Sequence, residues 1–167
     1  MDLSLHDIHA DSIELALDKA RQYRSLLEPE IAESICLDVL NTDAENQAAL
    51  VLYILALTDQ ISTSGSQSPF QAIENAIERL KSDYQRMYYT GIFHERRARF
   101  MLSQPMSRAF AYDYFVKALE CYQQAEQIRP QHNDEAILRW NSCVRTIGRE
   151  KLEPVFEHDQ VLMSRES

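Results

Sequence analysis

The chain is poor in the residues that interrupt regular structure. It has three glycines and five prolines among 167 residues, too few for the frequent tight turns of an all-β fold. Long apolar runs are also missing, since no stretch reaches the roughly 18 residues that a membrane-spanning helix needs. The first six residues lack the basic and apolar regions of a secretion signal. These absences favour a helical, cytoplasmic protein.

Positive charge is in short supply as well. The sequence holds 17 Lys and Arg against 26 Asp and Glu, for a formal net charge of −9. A field of that sign repels nucleic acid and anionic lipid. We therefore expect neither a nucleic acid nor a membrane as a partner.

Cysteine is scarce, and its positions do not suggest disulfide bonds. The three cysteines are odd in number and scattered at Cys36, Cys121 and Cys143. No metal-binding spacing links them. We expect reduced, buried thiols in a cytoplasmic protein.

The chain is rich in helix-forming residues and has enough apolar residues to form a hydrophobic core. Hydrophobic residues make up 45% of the chain, and its length suits one domain of ordinary size. We predict a helical domain over 1–148 and a charged tail over 149–167 that is either frayed or docked. The predicted helices cover 8–27, 29–40, 45–60, 69–82, 84–103, 105–128 and 133–147.

Several helix boundaries have their own signals. Proline at the first helical position predicts helix starts at Pro29, at Ser68–Pro69 and at Ser103–Pro105. Thr42 followed by Glu45 is a capping-box candidate, and Gly148 is expected to close the last helix. The Ser-rich segment 61–68 is predicted to be a surface loop.

Small and aromatic residues recur at helical spacing in two segments. One segment has Ala118, Tyr122 and Ala125, with Pro130 five residues further on; the other has Ala32, Cys36 and Val39 with the same spacing. Small residues one turn apart allow a second helix to approach closely, and the aromatic ring fills the remaining gap. Both segments are therefore expected to pack tightly against a partner helix.

This pattern resembles the second helix of a tetratricopeptide repeat (TPR). The resemblance implies an all-α, right-handed α-α superhelix of about three helix hairpins plus a C-terminal capping helix. The first repeat would begin at Ile13 and the second at Gln47. Gly91 would be the small residue of the third hairpin, whose two helices we expect to be longer than the others by about two turns each.

The resemblance also implies a noncatalytic module that binds a protein or peptide in a concave groove. The first helix of each hairpin would line that groove. The chaperone-binding members clamp a carboxylate there with Lys, Asn and Arg, but Leu17, Leu52 and Tyr89 stand at the matching positions. The groove residues would include Arg21, Arg24, Leu55, Tyr88, Ile92, Arg96, Asn141 and Arg145. Since several are arginines in an acidic chain, an acidic peptide is the expected ligand.

Other functions remain open at this stage. The run His94–Arg99 indicates either a salt-bridge network, with Glu95 pairing with Arg99, or a carboxylate-binding patch. Arg96, Tyr88 and Trp140 would converge if the protein instead held a small anionic ligand. A homodimer formed through an exposed apolar face is the third alternative.

No pattern in the sequence indicates an enzyme. The chain lacks a nucleophile elbow, a phosphate-binding glycine loop and a paired-cysteine zinc motif. His6, His9 and Asp11 could share a helical turn as a metal site, but an N-terminal segment offers little preorganisation and no fixed fourth ligand, so a solvated helix start is the preferred interpretation. We therefore expect no catalytic activity, no cofactor and no bound metal.

Overall fold

The computed structural model describes residues 1–63 and 69–155, and within them the protein is all-α. The described residues form seven α-helices and two short 3₁₀ turns, without a strand. The helices are α1 (Ile13–Ser25), α2 (Pro29–Thr42), α3 (Gln47–Asp59), α4 (Phe70–Glu78), α5 (Asp83–Ser103), α6 (Ala111–Gln127) and α7 (Glu135–Glu150). None of these helices has both the length and the apolar character needed to cross a bilayer.

The chain divides into two compact units, Met1–Lys81 and Ser82–Ser167. In the first unit, α1 packs on α2, α2 on α3 and α3 on α4, and α1 also meets α3. In the second unit, α5 packs along α6, and α6 packs against α7. Each helix therefore packs mainly against its neighbours in the sequence.

The small-residue pattern lies in the core of each unit, as predicted. Ala32, Cys36 and Val39 of α2 are fully buried and pack with Leu17 and Ala20 of α1. Such side chains let the two helix backbones come close together.

In the second unit, Ala118, Tyr122 and Ala125 of α6 are likewise buried. The ring of Tyr122 lies directly over Gly91 of α5, where a β-carbon would come within 2.5 Å of its Cε1 atom. Gly91 is therefore the place where the aromatic side chain of α6 reaches the backbone of α5.

The predicted start of α2 is confirmed, whereas the predicted cap of α3 and the predicted start of α1 are wrong. Pro29 is the first residue of α2. Thr42 does not cap α3, since it lies in the last turn of α2; Asn46 does so instead, its side chain accepting from the Ala49 N–H at 2.9 Å. The first α-helix begins at Ile13 rather than at residue 8, after a 3₁₀ turn over Ala10–Ser12.

The Ser103–Pro105 signal ends a helix instead of starting one. Gln104 adopts an extended conformation after α5, which is the conformation that a following proline favours. The chain then passes through a 3₁₀ turn at Arg108–Phe110, and α6 begins only at Ala111. The third hairpin is therefore lengthened unevenly, with 21 residues in α5 against 13 in α1, but 17 in α6 against 14 in α2.

The last helix also ends later than predicted. It runs past Gly148 to Glu150 and is closed by Lys151, whose φ of 52° is left-handed. The Lys151 N–H bonds back to the Gly148 carbonyl. Pro69 precedes α4 as its cap, whereas Ser68 and the tail beyond Val155 lie outside the described residues.

Candidate functional site

A buried carboxylate links all three helices of the second unit. Glu95 of α5 is 1% exposed, and its Oε2 accepts a 2.6 Å hydrogen bond from the Tyr122 hydroxyl of α6. Its Oε1 accepts from Arg99 Nε at 2.8 Å and lies 3.5 Å from Arg139 Nη1 of α7. We call Glu95, Arg99 and Arg139 the arginine cluster.

Both arginines of the cluster reach the surface. Their side chains are 34% and 36% exposed, whereas that of Glu95 is 2% exposed. Arg99 also donates hydrogen bonds to two hydroxyl oxygens of α7, Ser142 Oγ at 3.1 Å and Thr146 Oγ1 at 3.4 Å. Two guanidinium groups thus share one carboxylate, which leaves one net positive charge near solvent in an acidic protein.

Two side chains around the Glu95 carboxylate, Tyr122 and Arg139, have raised pKa values. Burial raises the pKa of Tyr122 well above its usual range, and the negative charge of Glu95 adds to the effect. Burial works to lower the pKa of Arg139, but the Glu95 carboxylate and a hydrogen bond with Tyr88 outweigh it, and the net shift is upward. The Tyr122 hydroxyl therefore stays protonated and Arg139 stays positively charged near neutral pH.

The thiols are not activated either. Burial is the main cause that raises the pKa of Cys36 and of Cys143 to about 12, and that of Cys121 to about 11. All three cysteines are free; Cys36 and Cys143 are buried and Cys121 is half-buried. None has the lowered pKa that marks a nucleophilic cysteine.

A second charged cluster lies between α5 and α6. The guanidinium of Arg97 lies 4.4 Å from the ring centroid of Tyr114 and 5.4 Å from that of Phe93. The ammonium group of Lys117 lies 4.5 Å from the Tyr114 centroid. His94 stacks on Phe93, and its Nδ1 is buried without a hydrogen-bond partner in the described structure.

The surroundings of His94 predict an acid-sensitive contribution to stability. Burial, with Arg97 and Lys117 nearby, lowers the pKa of His94 from 6.5 to about 4. Unfolding therefore takes up a proton between these values, so the stabilisation is complete above about pH 6.5 and is lost as the pH falls towards 4. We expect His94→Gln to flatten the decline of Tm over this range. His6→Gln, at an exposed histidine, should keep the wild-type slope, and equal slopes in all three proteins would contradict the assignment.

The arginines predicted for the groove in the first unit already have partners. Arg24 Nε lies 2.7 Å from Asp59 Oδ2 of α3, with both side chains largely buried. Arg21 pairs with Asp18 one turn earlier at 2.8 Å, on the exposed side of α1. Leu55 is half-buried. Arg24 thus joins α1 to α3, a structural role that the sequence did not indicate.

Two candidates of the second unit are core residues. Ile92 is 1% exposed and Tyr88 is 8% exposed, so both side chains pack in the core and present little surface to a groove. Their helix packs along α6, and the ring of Tyr88 meets that of Tyr122 at a centroid distance of 5.9 Å. Arg96 and Asn141 are half-buried and Arg145 is exposed.

The sequence predicted the pairing of two of the three members of the arginine cluster. The predicted pair of Glu95 and Arg99 is confirmed. Arg139 and Tyr122 were missed as partners because they lie 44 and 27 residues away in the chain. The sequence offered one weak signal of this buried site. Glu95 is an acidic residue at a helix position whose neighbouring positions are occupied by core residues.

His9 has a local structural role. His9 caps the 3₁₀ turn, its Nδ1 accepting from the Asp11 N–H at 3.1 Å. Over the ranges that the structure describes, no three His, Cys, Asp or Glu side chains are grouped so that they could hold a metal ion.

Comparison of the chain with family models, with curated proteins and with solved structures gave no match.

Proposed function

We propose that the protein is a noncatalytic module of tetratricopeptide type, with its hairpins arranged as a right-handed superhelix, and that it binds an acidic segment of a partner protein. The arginine cluster is the observation that carries the proposal. There, two arginine side chains, each about one-third exposed, share a single carboxylate. Arginine binds carboxylates bidentately, so the surplus charge favours acidic side chains.

The neighbouring surface supports a peptide rather than a catalytic substrate. Arg145 is exposed on α7 one helical turn after Ser142, which Arg99 contacts, and Asn141 is half-buried one turn before Arg145. These side chains offer further donors without a nucleophile or an activated base. The packing of Tyr122 on Gly91 and the burial of Ala118 and Ala125 support the likeness to tetratricopeptide hairpins.

The proposal is tested with two labelled pools of random-sequence peptides, one rich in Asp and Glu and one rich in Lys and Arg. We expect fluorescence anisotropy to show binding of the acidic pool and not of the basic pool. Raising the salt concentration should weaken this binding, because exposed charges are screened over about 8 Å at physiological ionic strength. Binding of neither pool, or a preference for the basic pool, would contradict the proposal.

A pair of arginine variants locates the binding surface. Arg139→Gln should weaken binding of the acidic pool, while Arg149→Gln should leave it unchanged. Arg149 lies on the same helix but is 66% exposed, and among the described residues its guanidinium contacts only Glu150, at 3.3 Å. Arg145→Glu reverses an exposed charge without removing a core contact, so it tests the surface separately from folding.

A small anionic ligand is the second candidate for the same cluster. The single net charge and the hydroxyls of Ser142 and Thr146 around Arg99 favour it. Titration with citrate as the probe distinguishes the two candidates. Citrate that binds and displaces the acidic peptides would show that the cluster alone recognises carboxylates, whereas peptide binding that citrate does not disturb requires a longer surface.

A further inference from the structure

The hairpin of α1 and α2, together with the segment before it, carries an apolar groove. The groove has a volume of about 350 Å³. Its apolar lining includes Ile8, Leu15, Tyr23 and Ile35. Successive helix residues turn by about 100°, so Leu15 lies opposite the buried Leu17 that packs in the core. The groove is thus the free side of the hairpin.

Exposed apolar side chains gather at this hairpin and the segment before it. Of the 13 large hydrophobic residues exposed in the described chain, eight lie within residues 1–37. Leu15, which lines the groove, is 66% exposed on α1, and Ile31, one turn before the lining residue Ile35, is 43% exposed on α2. The free side of a helical hairpin is expected to be polar when it faces only water. Apolar side chains there mark a surface that another molecule covers.

The charges at the groove indicate what covers it. Lys19 lies on the α1 wall and Asp38 on the α2 wall. Lys19 contacts only Gln22 on its own helix, at 3.2 Å, among the described residues. A surface with one cation and one anion on opposite walls is complementary to itself under a two-fold rotation. It is also neutral, so two chains of net charge −9 can meet there with little repulsion.

We propose that two copies of this chain associate through the α1–α2 groove. Leu15 of each copy enters the groove of the other, beside Tyr23 and Ile35. Lys19 of each copy pairs with the partner's Asp38, so each ion pair is made twice. This inference is independent of the proposed peptide binding, because the arginine cluster belongs to the other unit.

The proposal is tested by sedimentation velocity of the full chain over about two orders of magnitude in concentration. We expect a reversible dimer. Leu15→Arg should raise its dissociation constant by about a hundredfold, because two leucines leave the interface and two charges enter it. Leu138→Arg is the matched control: Leu138 is also a helical leucine, also 66% exposed, but it lies in the second unit. It should leave the dissociation constant unchanged.

Charge exchange provides a second, independent variant set. Lys19→Glu alone should weaken the dimer, and Lys19→Glu combined with Asp38→Lys should restore it, because the pairs re-form with opposite polarity. Far-UV circular dichroism confirms that each variant is folded. A monomer at every concentration would overturn the proposal. A dimer that persists in Leu15→Arg, or one that dissociates in Leu138→Arg, would also overturn it. So would a double charge exchange that fails to restore association.

Discussion

Gly91→Ala is expected to destabilise the protein by about 1–3 kcal/mol through overpacking. The added β-carbon would lie 2.5 Å from Cε1 and 2.8 Å from Cδ1 of Tyr122. The ring cannot easily retreat, because it is 1% exposed and its hydroxyl is held by Glu95 at 2.6 Å. This cost outweighs the gain of up to about 1 kcal/mol that alanine brings to a helix interior. Chemical denaturation measures the net change.

Gly148 provides the matched control for this substitution. It also lies within a helix, but a β-carbon there would meet nothing within 4 Å. Gly148→Ala should therefore stabilise the protein by up to about 1 kcal/mol. In a Tyr122→Leu background the cost of Gly91→Ala should shrink. If both alanine variants were stabilised alike, Tyr122 would not pack on Gly91 as described.

Glu95→Ala is expected to cost about 3 kcal/mol of unfolding free energy, the lower end of the range for breaking a buried ion pair. The change removes the acceptor of the buried Tyr122 hydroxyl and the shared partner of Arg99 and Arg139. The cost stays at the lower end because both arginines are about one-third exposed and can be hydrated in part. Glu95→Gln keeps the shape and an acceptor, so it should cost less.

A surface acid separates this effect from the general loss of a negative charge. Glu120→Ala removes an exposed carboxylate of α6 and should change stability by no more than about 0.5 kcal/mol. Thermal or denaturant unfolding of the three variants gives the comparison. Equal effects of Glu95→Ala and Glu120→Ala would show that the buried carboxylate does not join the helices of the second unit.

The helices were predictable because their signals are local. Ala32, Cys36 and Val39 recur at helical spacing, and the structure buries all three. The boundaries were less secure. At Gln104 and Pro105 the same residues could end one helix or start the next, and the proline's effect on the preceding residue prevailed.

The candidate site was predictable only where its residues are close in the chain. The pairing of Glu95 with Arg99 follows from their separation of one helical turn. The burial of Tyr88 and Ile92 could not be predicted in the same way. A position assigned from a repeat pattern does not say which side chains that particular hairpin covers. Both side chains are buried because α5 lies along α6 over most of its length.

The sequence by itself determined the all-α class, the small-residue positions where helices approach and the acidic charge of the chain, because each depends on composition or on spacing within one helix. The tertiary structure decided which charges meet. Glu95 became a buried acceptor because α6 supplies a hydroxyl and α7 a guanidinium. Arg24 became a link to Asp59 because α1 lies beside α3. Contacts of this kind join residues far apart in the chain, and only the packed helices bring them within hydrogen-bonding distance.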